Sequence, residues 1–238
     1  MVAAATGGLG LATAKALVDE GARVVVCGRD PDRLARALEA LGPRAEGIVA
    51  DVGDEAGATS FVAEATERLG GIDVLVTNAG GPPGASATAA SVADYRAAVE
   101  LNLISTVAMA LAAVPAMRAQ RWGRIVAITS VGVRQPIPFL AASVTARAGA
   151  TGFLKALAAE VAPDGVTVNS VQPGSHLTDR LRALAPEQRA ALLADIPIGE
   201  LGDPADFGAA VAFLCSRQAR FITGTALVVD GGATRALL

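Results

Sequence analysis

The sequence predicts an α/β protein, a doubly wound parallel sheet forming one domain over residues 1–238. Three observations lead there. Short, continuous apolar runs recur along the chain, the pattern of parallel strands buried on both faces. Longer segments with helical spacing alternate with them, which is the order of a βαβ protein. The hydrophobic content is 52% while aromatics are only 3%. The apolar mass is therefore Ala, Val and Leu, which suits helices packed closely on a sheet.

The elements follow in order. Residues 2–10 combine the end of a first strand with a glycine-rich turn, and residues 11–20 have helical spacing, with Leu11, Ala14, Leu17 and Val18 on one face. Glycines let the backbone approach a pyrophosphate, whose charge the start of a helix favours. Only about four residues precede this turn, fewer than the ~5–6 of an ordinary strand. The expectation is a stunted first strand or a natural chain that begins further upstream. Arg23–Cys27 is the next strand, and Asp30 with Pro31 opens a helix as cap and first-turn residue. Glu46–Ala50 and Ile72–Val76 are strands separated by a helix through Phe61, Val62, Ala65 and Leu69. Ser91 and Asp94 have capping-box spacing before a long helix that contains Asn102. Arg124–Thr129 is a strand that delivers Ser130 to its carboxyl end. A helix from about Ala141 then carries Ser143 and Arg147 on one face, four residues apart. Strands at Gly165–Val171 and Ala226–Asp230 flank a helical segment over Leu177–Pro197, expected to cover a substrate, and a helix capped around Asp203–Asp206.

Composition narrows the function classes. A net charge of −3 and no basic run interleaved with aromatics argue against nucleic acid. Cys27 and Cys215 lie in apolar runs without metal-ligand spacing and are expected to be buried, reduced thiols. The longest apolar run, Val107–Met117, falls short of a membrane span and contains Pro115. The expectation is a soluble, cytoplasmic protein with no membrane, metal or nucleic-acid partner.

Taken in order, Gly8 and Gly10, Asp51, the tripeptide Asn78, Ala79 and Gly80, then Asn102, Ser130 and the pair Pro173 and Gly174 resemble the short-chain dehydrogenase/reductase family over essentially the whole chain. The resemblance implies a Rossmann fold with its cleft outside the carboxyl ends of the strands. It also implies a small-molecule substrate, a nicotinamide cofactor and a homo-oligomer, dimer or tetramer. The cofactor residues it implies are Gly8, Leu9, Gly10, Arg29, Asp51, Val52, Asn78, Ala79, Gly80, Arg147, Pro173, Gly174 and Thr178. The position that in dinucleotide folds holds a ribose-binding acid falls on Gly28, and Arg29 follows. An arginine there accommodates a 2′-phosphate, which favours NADP(H) over NAD(H).

The chain departs from the family at its chemical centre. The family's serine is Ser130, but its tyrosine thirteen residues on is Ser143 and its lysine four beyond that is Arg147. The first two positions of the family's glycine motif fall on Ala3 and Ala4. In the family the tyrosine protonates the carbonyl oxygen and the lysine lowers its pKa. Ser143 is a weaker acid with a shorter reach, and Arg147 is a permanent charge with a rigid fork of donors. Two readings stay open. One is an atypical NADP(H)-dependent oxidoreductase acting on a carbonyl or alcohol, with Asn102, Ser130, Ser143 and Arg147 at its catalytic centre. The other is a non-catalytic dinucleotide-binding or scaffold protein. His176, the only histidine, lies in the substrate loop and is a further candidate for proton transfer.

Overall fold

Residues 1–237 are described by a computed structural model. Six parallel strands are present: β1 Val24–Gly28, β2 Ala45–Val49, β3 Val74–Thr77, β4 Gly123–Ile128, β5 Val166–Pro173 and β6 Ala226–Val229. β1 pairs with β2, and β3, β4, β5 and β6 pair in that order. Val2 joins the two groups by bridging Val26 on one side and Val76 on the other. The Val2 amide donates to Val25 O at 2.9 Å, and the Ala3 amide donates to Val76 O at 3.0 Å. Where the first strand is expected, Val2 thus lies at the centre of the sheet and is bonded on both sides. The Met1 ammonium is buried with it and donates to Val74 O at 2.7 Å.

One face of the sheet carries α1 Gly8–Asp19, α2 Pro31–Leu41 and α9 Pro204–Cys215. Their core includes Leu17, Leu34, Val126, Phe207 and Val211. The other face carries α3 Glu55–Leu69, α5 Ser105–Ala119 and α6 Ala141–Val161. Phe61, Leu75, Met109, Met117, Ile125 and Leu157 fill that side. Local signals set the helix starts as expected. The Asp30 carboxylate accepts from the amides of Asp32 at 2.9 Å and Arg33 at 3.1 Å, and the Ser91–Asp94 capping box opens α4 Val92–Val99. Asp203 accepts from the Ala205 amide at 2.8 Å, with Pro204 in the first turn of α9.

α4 and α5 form one continuous helix, Val92–Ala119, through a π-helical turn at Glu100–Ile104. This corrects the expectation that no apolar segment approaches membrane-spanning length, because an 18-residue window of this helix reaches a mean hydropathy of 1.8. Half of that window is buried inside the fold, where α5 packs on α3, β3 and β4. Its apolarity serves the core. The segment expected to cover the substrate forms two short helices, α7 Asp179–Arg182 and α8 Pro186–Ala194.

Candidate active site

The carboxyl ends of the parallel strands open onto a cleft of about 950 Å³. Gly8, Leu9 and Gly10 line it at the start of α1, with Arg29, Asp51 and Val52 beyond β1 and β2. Asn78, Ala79 and Gly80 line it past β3, and Arg147, Pro173 and Thr178 close the far end. Asn78 Nδ2 donates to Ala4 O at 3.1 Å, tying the end of β3 to the glycine loop. Gly10 must be glycine because a Cβ there would stand 2.8 Å from both Ala4 O and Asn78 Nδ2. The cleft thus has the glycine loop, helix start and length that a dinucleotide requires.

At the ribose end, Gly28 faces the Thr6 side chain. A Cβ at position 28 would lie 2.2 Å from Thr6 Cγ2, so no carboxylate fits there unless Thr6 moves. The Arg29 guanidinium stands 3.6 Å from Asp51, and both side chains are well exposed. Arg33, on the first turn of α2, also lines the cleft. The residues fit a dinucleotide carrying a 2′-phosphate: glycines for the diphosphate, and for the ribose Arg29 and Arg33 with no acid at position 28.

At the opposite end, Arg147 lies one helical turn beyond Ser143 on α6. Its Nε donates to Ser143 Oγ at 3.2 Å. Its Nη1 donates to Ile128 O at 3.0 Å and Thr129 O at 3.1 Å, the last carbonyls of the β4 segment. Its Nη2 donates to Ala79 O at 3.4 Å. A guanidinium carries five N–H groups. Four are engaged within the protein, and one on Nη2 is left for the cleft that Arg147 lines. Burial, and secondarily the charge of Arg180, bring the Arg147 pKa down to about 10, so the group stays cationic near neutrality.

The other expected catalytic residues make their hydrogen bonds within the protein. Ser143 and Asn102 are 8% and 4% exposed. Ser130 Oγ accepts from the Gly132 amide at 3.0 Å, which caps the turn after β4. Asn102 lies in the π-helical turn and its Nδ2 donates to Gly80 O at 3.0 Å. Its Oδ1 is buried without a protein partner. None of these three side chains is among the groups that line the cleft. Gly174 is likewise not among the lining residues; its amide donates to Val229 O and a Cβ there would strike Asp230.

His176 does not reach the reacting end. It is 4% exposed, packs edge-on against Phe207 with ring centroids 5.2 Å apart, and places Nδ1 3.1 Å from Gly174 O. Burial lowers its pKa, so the ring is a neutral structural group. Cys27 and Cys215 are buried free thiols with pKa values pushed up to about 12 by burial. Among the described residues no cluster has the makings of a metal site.

Sequence reading missed Arg33 and Arg180, which both line the cleft. Each is an arginine in the first turn of a helix with other arginines nearby, and such a residue reads as a solvated charge until the chain brings it back to the strand ends.

Comparison with known proteins agrees with this geometry. Residues 3–234 match the family model described as enoyl-(acyl carrier protein) reductase. The chain is 36% identical over 232 residues to the 3-oxoacyl-[acyl-carrier-protein] reductase FabG of Vibrio cholerae, covering 98% of this chain and 95% of the relative. The FabG of Escherichia coli K12 is 37% identical with the same coverage. L-fucose dehydrogenase of Oryctolagus cuniculus is 37% identical, covering 98% of this chain and 84% of the relative. Among solved structures, a tryptophan variant of actinorhodin polyketide ketoreductase with NADPH superposes with a TM-score of 0.91 at 34% identity, covering 98% of this chain and 96% of that one.

Proposed function

Because the chain belongs to the short-chain dehydrogenase/reductase family, we propose that it is an NADP(H)-dependent oxidoreductase that interconverts a carbonyl compound and its alcohol through Arg147 rather than a tyrosine. The single observation that carries this reading is the Arg147 guanidinium, which lines the cleft, is held by four hydrogen bonds at the strand ends and keeps one N–H without a protein acceptor.

The NADP(H) preference rests on Arg29, on Arg33 nearby, and on the space at Gly28 that excludes an acid. A reduced nicotinamide supplies the hydride when bound. The glycine loop and the start of α1 would receive the diphosphate, and Thr178 and Pro173 would flank the reacting ring. The work left to the protein is to stabilise the negative charge that develops on the carbonyl oxygen. A fixed guanidinium donor does this electrostatically, without giving up its proton. Removing one such donor elsewhere costs about 10²–10³ in rate. Ser143 orients the fork by accepting from Nε, and the carbonyls of Ile128 and Thr129 prevent its rotation. Asn102 holds Gly80 and so the shape of the cleft floor. Water supplies the proton that completes the alcohol, since no phenol or imidazole of the described residues lines the cleft.

The reading extends to a homo-oligomer, supported by the exposed Leu111 on α5 and Phe221 before β6, and to the cytoplasm, supported by two reduced, buried cysteines. A scaffold role would not need a buried guanidinium with a spare donor at the strand ends. The test is cofactor oxidation followed at about 340 nm with NADPH and a panel of ketones and aldehydes. Turnover that falls at least about 10²-fold in Arg147→Met supports the reading. NADPH binding without turnover on any panel member would instead favour the non-catalytic alternative.

A further inference from the structure

The reacting end of the cleft holds a second cation. Arg180 lies on α7, two residues past Thr178, and lines the same cleft as Arg147. Both guanidinium groups converge on one short piece of backbone after β3. Arg147 Nη2 donates to Ala79 O at 3.4 Å from the side of α6. Arg180 Nη1 comes within 3.0 Å of where a Cβ on Gly81 would stand, approaching from the side of α7. The two charges are close enough for Arg180 to depress the Arg147 pKa.

Neither group is neutralised. Among the described residues, neither Arg147 nor Arg180 has an ion-pair partner. The adjacent acid, Asp179, pairs with Arg182 at 3.3 Å. Two like charges that line one cleft repel each other unless an anion joins them. The glycine loop and the start of α1 already provide for a diphosphate, beside Thr178, where a Cβ on Gly8 would stand 3.6 Å from Thr178 Cγ2. The unopposed pair therefore falls to the substrate.

We propose, resting on the oxidoreductase reading above, that Arg180 is a substrate-recognition residue and that the preferred substrates are oxo acids, whose carboxylate pairs with Arg180 while the carbonyl oxygen faces the spare N–H of Arg147. A planar guanidinium fork suits a carboxylate through paired hydrogen bonds. The methyl ester of the same oxo acid keeps the carbonyl and loses the charge, so it isolates the interaction.

The experiment is calorimetric titration of the protein saturated with NADP⁺, a complex that binds a ketone without reducing it. The probes are pyruvate, acetoacetate and levulinate, each against its methyl ester. At least one acid should bind tenfold or more tightly than its ester. That advantage should fall below threefold in Arg180→Gln, with the NADPH dissociation constant changed less than twofold. Arg180→Lys, which keeps the charge, should retain part of the advantage. Equal binding of acids and esters, no binding of any acid, or an advantage unchanged in Arg180→Gln would overturn the proposal while leaving the oxidoreductase reading intact. Tenfold weaker NADPH binding in Arg180→Gln with the acid preference kept would assign the arginine to the cofactor and also overturn it. Failure of the wild-type chain to bind either cofactor would defeat the reading beneath it.

Discussion

Arg147 Nε donates to Ser143 Oγ at 3.2 Å across one turn of α6, so the two residues act as a single fixed unit. The same guanidinium ties together β4 and the segment after β3, whose carbonyls are its other acceptors. Replacing it with leucine removes four charge-assisted hydrogen bonds and leaves buried acceptors unpaired. Arg147→Leu should lower stability by about 2–4 kcal/mol, measured by urea unfolding. Ser143→Ala removes only one of those bonds and should cost about 1 kcal/mol.

If Ser143 and Arg147 occupy the places of the family's tyrosine and lysine, the double change Ser143→Tyr, Arg147→Lys should rebuild a proton-donating pair. The helical spacing is already right, and Asn102 and Ser130 occupy the family's other positions. Reduction of a small uncharged ketone should rise at least about tenfold, or ~1.4 kcal/mol of barrier. Ser143→Tyr alone should gain less, because it leaves an arginine where the proton-donating pair needs a lysine. A folded, NADPH-binding double mutant with no gain on any ketone would show that the pocket has been remodelled for different chemistry.

Cofactor choice should follow Arg29. Its pairing with Asp51 is exposed on both sides and contributes little to folding. Arg29→Ala should therefore leave the melting temperature nearly unchanged and weaken NADPH binding about tenfold, while NADH binding moves little. Introducing an acid at Gly28 should not by itself create an NAD(H) enzyme. A side chain there collides with Thr6, so Gly28→Asp needs Thr6→Gly beside it before NADH binding improves. Calorimetry on the two single variants and the double separates these effects.

The buried His176 ring sets a pH dependence. Burial lowers its pKa below the ordinary imidazole value. Through that range the unfolded chain binds more protons than the folded one, so stability rises with pH and is lost as pH falls. Urea unfolding of the wild type and of His176→Asn at about pH 5 and about pH 7 should show a smaller pH slope in the variant. Extending the chain by about five apolar residues ahead of Met1 should lengthen the central strand toward ordinary size. The extended protein should melt higher. Equal melting temperatures would show that Val2 and its flanking bonds already suffice.

By itself the sequence determined the sheet, the order of its elements, their caps, and the shared face of Ser143 and Arg147. These depend on patterns within a few residues: apolar runs, helical periodicity, and side chains that bond an amide two or three positions on. It also showed Gly28 before Arg29 and the absence of a tyrosine at position 143. Only the tertiary structure decided what the arginines do. Arg147 meets Ala79, 68 residues away in sequence, and Arg180 meets Gly81 because β3, β4 and β5 end side by side. It decided equally that His176 turns into the core against Phe207, and that Val2 bridges β1 and β3. Such outcomes depend on which distant segments meet and how closely they pack, and no local pattern of residues encodes that.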